Sequence, residues 1–395
     1  MKPLVSIIVP VYNVSNYIEQ CLNSLTNQTL KEIEIIVVDD CGTDDSIDKA
    51  EKLAKKDKRI KIVHNKTNQG LAESRNIGLK YVKTEYVAFL DSDDWVAEDF
   101  IEKLYNACII ENADIAVSDV IYYYNQNKQT REWVSTWNFK SGKKINSEPE
   151  DKQYNMYACA CWNKLYRTEL FVKYNLKFPK GLYIEDVPIT FITTMLANKI
   201  VMVEDTRLYY RMRNDSIMAT SKTDRKPFDI FKIYEYTEAL FNEYKEFDKH
   251  KQYRQILDNF EIFNIYGWHA RTGYPLKDEF WQKMRKVFKN INIEHNSFIT
   301  PESRDFYNIV LYGDKSIKIF YIRFFDVLPL LKYKKSDHFS KVWLLDFIPF
   351  ISYKNKENKK CFYMFGIPLF QQTTKRNKTK YSLFKILPFL SIKRK

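Results

Sequence analysis

The sequence predicts an α/β fold whose first half is a mostly parallel sheet with helices on both faces. Three observations predict it: short continuous runs rich in β-branched residues, amphipathic segments between them, and polar clusters where the runs end. A strand that is apolar on both sides of its alternation is covered on both faces, and strands separated by helices pair in parallel.

Leu4–Val9 is the first run, followed by a Tyr12-Asn13 turn and a helix with the apolar face Ile18, Cys21, Leu22 and Leu25, with Ser15 placed to cap it. Ile33–Val38 is the second strand. It ends at Asp39-Asp40, and Ile47, Ala50, Leu53 and Ala54 then recur at helical spacing. Ile60–Val63 is a third strand, Leu71–Val82 a helix and Tyr86–Leu90 a fourth strand, which stops at Asp91-Ser92-Asp93-Asp94. Three carboxylates within four residues repel one another, and burying one unpaired is costly, so the chain must surface at Asp91. A divalent cation bridging a polyphosphate is one partner for such a cluster. A solvated acidic turn capping the next helix at Asp94 or Asp99 is the plainer one. Ligands of parallel sheets sit at the carboxyl ends of the strands. That rule selects Pro10 to Asn13, Asp39-Asp40, residues 65–75 and Asp91 to Asp94.

Composition narrows the class. The chain has 395 residues, 45% hydrophobic and 16% aromatic, which suits a globular protein of two or three domains. It has nine glycines and none between Val11 and Asn16, so neither a dinucleotide-binding G-x-G-x-x-G nor a Walker loop follows the first strand. Six cysteines without a C-x-x-C pair read as free thiols of a reducing cytosol. Pro10 breaks the N-terminal apolar run, which is a strand rather than a signal peptide, and no stretch is long enough to span a membrane. The net charge of +13 lies in the tail: 16 Lys and Arg face three acids after residue 330, leaving 47 of each sign before it. The anionic surface this protein meets is therefore expected at its C-terminus.

Four stretches now combine. Val5 to Asn13, Glu34 to Ser46, Asn68 to Leu79 and Leu90 to Trp95 resemble, in order, the motifs of family 2 nucleotide-sugar glycosyltransferases with the GT-A fold. The resemblance covers residues 1 to about 215 and is closest to bacterial enzymes that build lipooligosaccharide or capsule, some of them β-1,3-galactosyltransferases. Cys41-Gly42 stands where many members have Gly-Ser, and the turn is expected to survive because Gly42 can adopt positive φ.

The resemblance implies an inverting, metal-dependent hexosyltransferase. It would move a hexose or N-acetylhexosamine from a UDP-sugar to a hydroxyl of a lipid-linked surface glycan, with Mn²⁺ or Mg²⁺ as cofactor. Asp40 would accept from the pyrimidine N3–H, Tyr12 would stack on the base, and the Pro10 backbone, Asn13, Asp39, Gly70 and Ser92 would complete the nucleotide site. Arg75 is expected to pair with Asp40 or the base. Asp93 is the expected metal ligand, with Asp91 facing ribose or the metal shell, and Asp94 supporting Asp93 or capping the helix near Asp99. Asp186 matches the general base, with Glu185 its neighbour; as acids at a helix start they also favour the helix dipole. Lys164 would meet phosphate unless it is a surface lysine, and Arg211 or Arg213 would clamp the diphosphate, both lying on one face of a strand. Tyr12 as core and Asp39-Asp40 as helix caps are the structural alternatives.

The remaining chain carries less chemistry. Tyr122 to Tyr124, Trp133 and Trp137 lie in a polar stretch that reads as an acceptor-side lid or an ordinary loop. Domains are expected at 1–220, catalytic; 221–325, helical, with aromatics forming core or a homodimer surface; and 326–395, a basic tail. In the tail, Leu328-Pro329-Leu330, Ile348-Pro349-Phe350, Ile367-Pro368-Leu369 and Leu387-Pro388-Phe389 repeat every 19 or 20 positions. Lysines between apolar units suit the inner face of the cytoplasmic membrane. Hairpins packed on the body are the alternative, and nucleic acid is disfavoured because no RNA-binding or helix-turn-helix signature accompanies the charge. The competing class is a catalytically silent binder of nucleotide-sugar, membrane or nucleic acid.

Overall fold

The computed structural model describes residues 2–126, 129–135, 144–145, 160–213, 225–245, 247, 251–273 and 276–313, and seven strands between residues 318 and 383. For residues 125–126, 129–135, 144–145, 204–205 and the seven strands, only the backbone is described. Residues 1–304 and 305–395 form two units.

The first unit is built on a ten-stranded sheet. Its strands are β1 (Val5–Val11), β2 (Ile33–Asp39), β3 (Ile60–His64), β4 (Tyr86–Phe89), β5 (Trp95–Val96), β6 (Ile115–Gln126), β7 (Gln129–Ser135), β8 (Lys144–Ile145), β9 (Lys164–Arg167) and β10 (Ile200–Met212). They follow the order β3-β2-β1-β4-β9-β6-β10-β5, with β7 on β6 and β8 on β10. β3, β2, β1 and β4 pair in parallel, as the continuous apolar runs require. The far half is mixed, because β9 lies antiparallel between β4 and β6.

Helices α1 (Ile18–Thr26), α2 (Ser46–Lys56), α3 (Leu71–Leu79) and α4 (Phe100–Glu111) cover the parallel half. Every residue of β1 is buried. Ile7, Val9 and Val11 join Ile18, Leu22 and Leu25 of α1 in the main core, each fully buried aliphatic contributing about 1.5–3 kcal/mol. On the opposite face α3 lies so close that a Cβ on Gly78 would stand 2.5 Å from Ile8 Cγ2. A glycine is what lets that helix reach the sheet.

The structure changes several local expectations. Ser15 does not cap α1, which starts after Tyr17 with no side-chain cap. The Ser15 N–H instead donates to Asp44 Oδ2 at 2.8 Å, tying the β1–α1 loop to the β2–α2 loop. Tyr122 to Tyr124 belong to β6 and Trp133 to β7, so this stretch is paired strand rather than loop; Trp137 lies outside the described residues.

After β9 come α5 (Glu169–Lys173) and α6 (Asp186–Leu196), then, beyond β10, α7 (Asp229–Glu243), α8 (Lys251–Arg271), α9 (Lys277–Phe288) and α10 (Pro301–Tyr312). Most of the aromatics spaced along this helical stretch are core. Phe231, Tyr234 and Phe260 are buried, and Phe191 of α6 stacks on Phe260 of α8 at 5.4 Å. Helix ends at Tyr312, and strand resumes at Lys318. Among the described residues no helix is long and apolar enough to cross a membrane.

The second unit contains an antiparallel meander of β11 (Lys318–Phe324), β12 (Leu328–Lys335), β13 (Phe339–Leu344), β14 (Ile348–Lys356), β15 (Lys359–Met364), β16 (Ile367–Lys375) and β17 (Lys378–Leu383). Each of the first three sequence repeats is one hairpin, β12–β13, β14–β15 and β16–β17. Pro329, Pro349 and Pro368 all sit at register shifts, opposite Arg323, Trp343 and Tyr363. Proline has no N–H to give a ladder, so a bulge is where a sheet tolerates it. Leu387-Pro388-Phe389 lies outside the described residues.

Candidate active site

The sheet order reverses between β1 and β4, and the polar strand ends gather there, as expected for a doubly wound sheet. Tyr12, just past β1, is 49% exposed, which removes the reading of it as core and leaves its ring free to stack. Asn13 follows in the left-handed region, φ 51°, and its Oδ1 accepts the Thr43 N–H at 2.7 Å. The positive φ of the β2–α2 turn falls on Cys41 (φ 58°), not on Gly42. Gly42 is required for a different reason: a Cβ there would stand 2.9 Å from Asn13 Oδ1.

Asp40 is buried with its carboxylate held by three donors. Oδ1 accepts from Asn65 Nδ2 at 2.8 Å and the Gln69 N–H at 2.7 Å, and Oδ2 from the Gly70 N–H at 2.9 Å. A carboxylate has about four acceptor positions, so one remains. Gly70, φ 83°, precedes α3, so Asp40 fixes the start of that helix from another loop. Asp39 has turned away, holding His64 Nδ1 at 2.9 Å and the Cys41 N–H at 3.0 Å. Asn65 and Gln69 lie in the stretch after β3 that the sequence selects, but it assigns neither a role.

Arg75 does not pair with Asp40. It lies farther along α3, almost wholly buried, with Nη2 at 2.6 Å from Asp91 Oδ1 and Nη1 on Glu185 Oε1. Its guanidinium also sits 5.4 Å from the centroid of the Phe178 ring. One cation thus joins the end of β4 to the start of α6. Glu185 is buried, and burial raises its carboxyl above the usual range. Asp186 is partly exposed; burial, and then the negative Glu185 beside it, push its carboxyl up to about 7. Ile184, immediately before the pair, has φ 60°, a β-branched residue in a region that costs about 1–3 kcal/mol. Strain at that spot marks a backbone held by its surroundings, among them Asp229, whose Oδ2 accepts the Tyr183 N–H at 3.0 Å.

The acidic cluster divides three ways. Asp91 holds Arg75. Asp93 Oδ2 meets Arg213 Nη2 at 2.7 Å, and burial followed by the nearby Asp91 raises its carboxyl. Asp94 is fully buried and caps no helix; Asp99 stands at the start of α4. Asp94 Oδ1 accepts the Arg211 N–H at 2.8 Å, pinning β10 to the β4 end, while Oδ2 has no hydrogen-bond partner among the described residues. Burial, then Asp93 and Asp91, raise this carboxyl strongly. Ser92 is buried between them.

Arg211 and Arg213 do lie on one face. Their guanidiniums sit 4.9 and 4.8 Å from the centroid of the Tyr17 ring. Arg211 is locked by the Asp93 carbonyl (2.8 Å), Gln20 Oε1 (2.6 Å) and the Trp95 ring (4.5 Å), whereas the Arg213 guanidinium pairs with a site carboxylate, Asp93. Lys164 is neither a surface lysine nor open to phosphate. It is wholly buried, its Nζ donating to the Ala160 carbonyl at 2.6 Å and Asn163 Oδ1 at 2.8 Å.

Among the described residues no group of three or more His, Cys, Asp or Glu side chains is set to hold a metal alone. Yet five carboxyl groups, Asp91, Asp93, Asp94, Glu185 and Asp186, gather about three guanidiniums, and Asp94 Oδ2 is an orphaned buried acceptor. That surplus fits a divalent cation taking one or two protein oxygens and filling its shell from phosphate and water.

Residues 6–174 match the model of the family described as "Glycosyl transferase family 2". The putative glycosyltransferase EpsH of Bacillus subtilis is 34% identical over 269 residues, 66% of this chain and 75% of that protein. The chain belongs to glycosyltransferase family 2. Another relative, glycosyltransferase GlyG of Streptococcus pneumoniae, is 31% identical over 59% of this chain and 79% of its own length. Among solved structures, S. aureus TarS 1–349 superposes with a TM-score of 0.64 at 22% identity, over 82% of this chain and 95% of that one, which shows a shared GT-A fold. The matched range spans the strand ends described above.

Proposed function

We propose that this family 2 enzyme transfers a hexose or N-acetylhexosamine from a UDP-sugar to a hydroxyl of a bacterial surface glycan, inverting the anomeric centre. The observation that carries the reading is one chain of contacts: Asp40 fixes the start of α3, and Arg75 in the same helix binds both Asp91 and the Glu185 beside Asp186. In this reading one short helix links the residues that take the base, the diphosphate and the acceptor. The TarS structure of the same fold holds UDP-GlcNAc, which favours a uridine donor here.

In this reading Tyr12 stacks on the uracil, and the remaining acceptor position of Asp40 takes its N3–H. Asp186 removes the acceptor hydroxyl proton as that oxygen attacks C1, and the C1–O bond to the diphosphate breaks with its electron pair leaving on UDP. Arg213 offers a planar fork to the departing phosphates. Asp93, with Asp91 beside it, would hold Mn²⁺ or Mg²⁺, which when bound supplies positive charge toward the leaving diphosphate. The basic second unit brings the enzyme to the inner face of the cytoplasmic membrane, where a lipid-linked acceptor is extended.

UDP release measured with and without Mn²⁺, in wild type, Asp93→Ala and Asp186→Asn, tests the chemistry. Asp186→Asn should lower turnover by about 10²–10⁴. Turnover indifferent to the metal and to both substitutions would overturn the mechanism.

A further inference from the structure

Pairing in the second unit sorts its charges. Following the register across the bulges from β11 to β17, ten of the thirteen Lys and Arg positions in these strands fall on one face of the sheet, and the strands contain no acid. Lys318, Lys335 and Lys360 are the three on the other face, where the register rows are otherwise largely apolar, as in Phe320-Tyr333-Val342-Ile351-Met364. Trp343 and Tyr363 share the basic face.

This arrangement is unfavourable in isolation. Lys334 stands directly opposite Lys341, Lys356 opposite Lys359, and Lys375 opposite Lys378. Like charges directly opposite in an antiparallel pair destabilise it, and strands about 4.8 Å apart are well inside the Debye length. The residues outside these strands balance at 50 charges of each sign, so the rest of the chain carries no excess of acids to answer these cations.

We propose that this lysine face of the second unit is the surface that docks on an anionic lipid bilayer, an inference that rests on the membrane reading above. Seven strands spread the charge over a width of about 29 Å, a two-dimensional array suited to a field of lipid headgroups rather than to a single bound phosphate. Aromatic positions among the lysines suit the headgroup region, where Trp and Tyr concentrate. Neighbouring lysines that repel in solution each find a counter-charge there.

The test uses the full chain and sedimentation with vesicles of phosphatidylcholine, alone or with one third phosphatidylglycerol. Lys334→Gln, Lys341→Gln and Lys359→Gln together should weaken binding to the anionic vesicles about tenfold or more. Lys318→Gln, Lys335→Gln and Lys360→Gln remove the same charge from the opposite face and should weaken it less than about threefold. Circular dichroism and UDP release to a soluble acceptor, unchanged in both triple variants, show that the fold is retained. Equal losses from the two faces would overturn the assignment of the face while leaving membrane binding in place. Wild type that ignores anionic vesicles would remove the membrane reading itself, and duplex DNA that binds tighter than the vesicles and displaces them would identify the wrong class of partner.

Discussion

At the scale of single residues, the site is governed by how one buried cation is shared. Arg75 serves Asp91 and Glu185, and the charge of Glu185 in turn acts on Asp186, which burial had already lifted. A general base must be unprotonated, so kcat/KM should fall as pH drops through about 7, the value to which Asp186 is raised. Glu185→Gln removes a like charge and should move that acidic limb to lower pH; a pH–rate profile reads both. A raised carboxyl also makes the folded state bind its proton more tightly than the unfolded chain does, so its contribution to stability declines as pH rises from about 4 to 7. Asp186→Asn should therefore raise Tm at pH 8 and change it little at pH 4. Arg75→Met leaves two carboxylates without their partner and should cost about 3–5 kcal/mol in urea unfolding. Arg75→Lys keeps the charge but cannot span both partners as a fork does, and should fall between. Asp40 and Asp93 stood out in sequence as acids following strands, and Asp186 through its resemblance to the family's acid pair at a helix start. Their partners did not: Arg75 reaches Glu185 across 110 positions, and only packing brings them together.

At the scale of elements, the four parallel strands and their helices were readable because each is apolar on both faces or on one helical stripe. The antiparallel insertion of β9 was not, since four residues of strand carry no sign of direction. Nor was the reach of β6, whose Tyr122 to Tyr124 read as lid or loop although they pair in parallel with Tyr210 to Met212 of β10. The contact of α3 with β1 is a sharper case. Gly78→Ala should destabilise by about 1–3 kcal/mol, because its Cβ meets Ile8 Cγ2 at 2.5 Å and overpacks a full interior. Ile8→Ala in the same chain opens that space, so the double variant should lose less than the sum of the two singles. A double-mutant cycle in urea measures the coupling, and strict additivity would mean that α3 simply shifts.

At the scale of the whole molecule, a charge-balanced catalytic unit is joined in sequence to a basic repeat. If the second unit holds the enzyme on a membrane by charge, raising ionic strength from about 0.1 to 1 M shortens the Debye length from about 10 to 3 Å and should release it from anionic vesicles. UDP release to a soluble acceptor should be much less affected, since its ion pairs are buried. Sedimentation and turnover measured in the same salt series separate the two units.

The sequence by itself determined the parallel half-sheet, the acids at its carboxyl edge and the repeat period of the tail, because strand and helix periodicity and like-charge repulsion act between near neighbours in the chain. Tertiary structure alone decided that Arg75 binds Asp91 and Glu185, that Lys164 is buried, that Asp94 pins β10 and that the tail lysines collect on one face. Each of those depends on which distant segments share a low-dielectric interior or a strand register. Periodicity cannot report it, because it records where a side chain faces and not what it will meet.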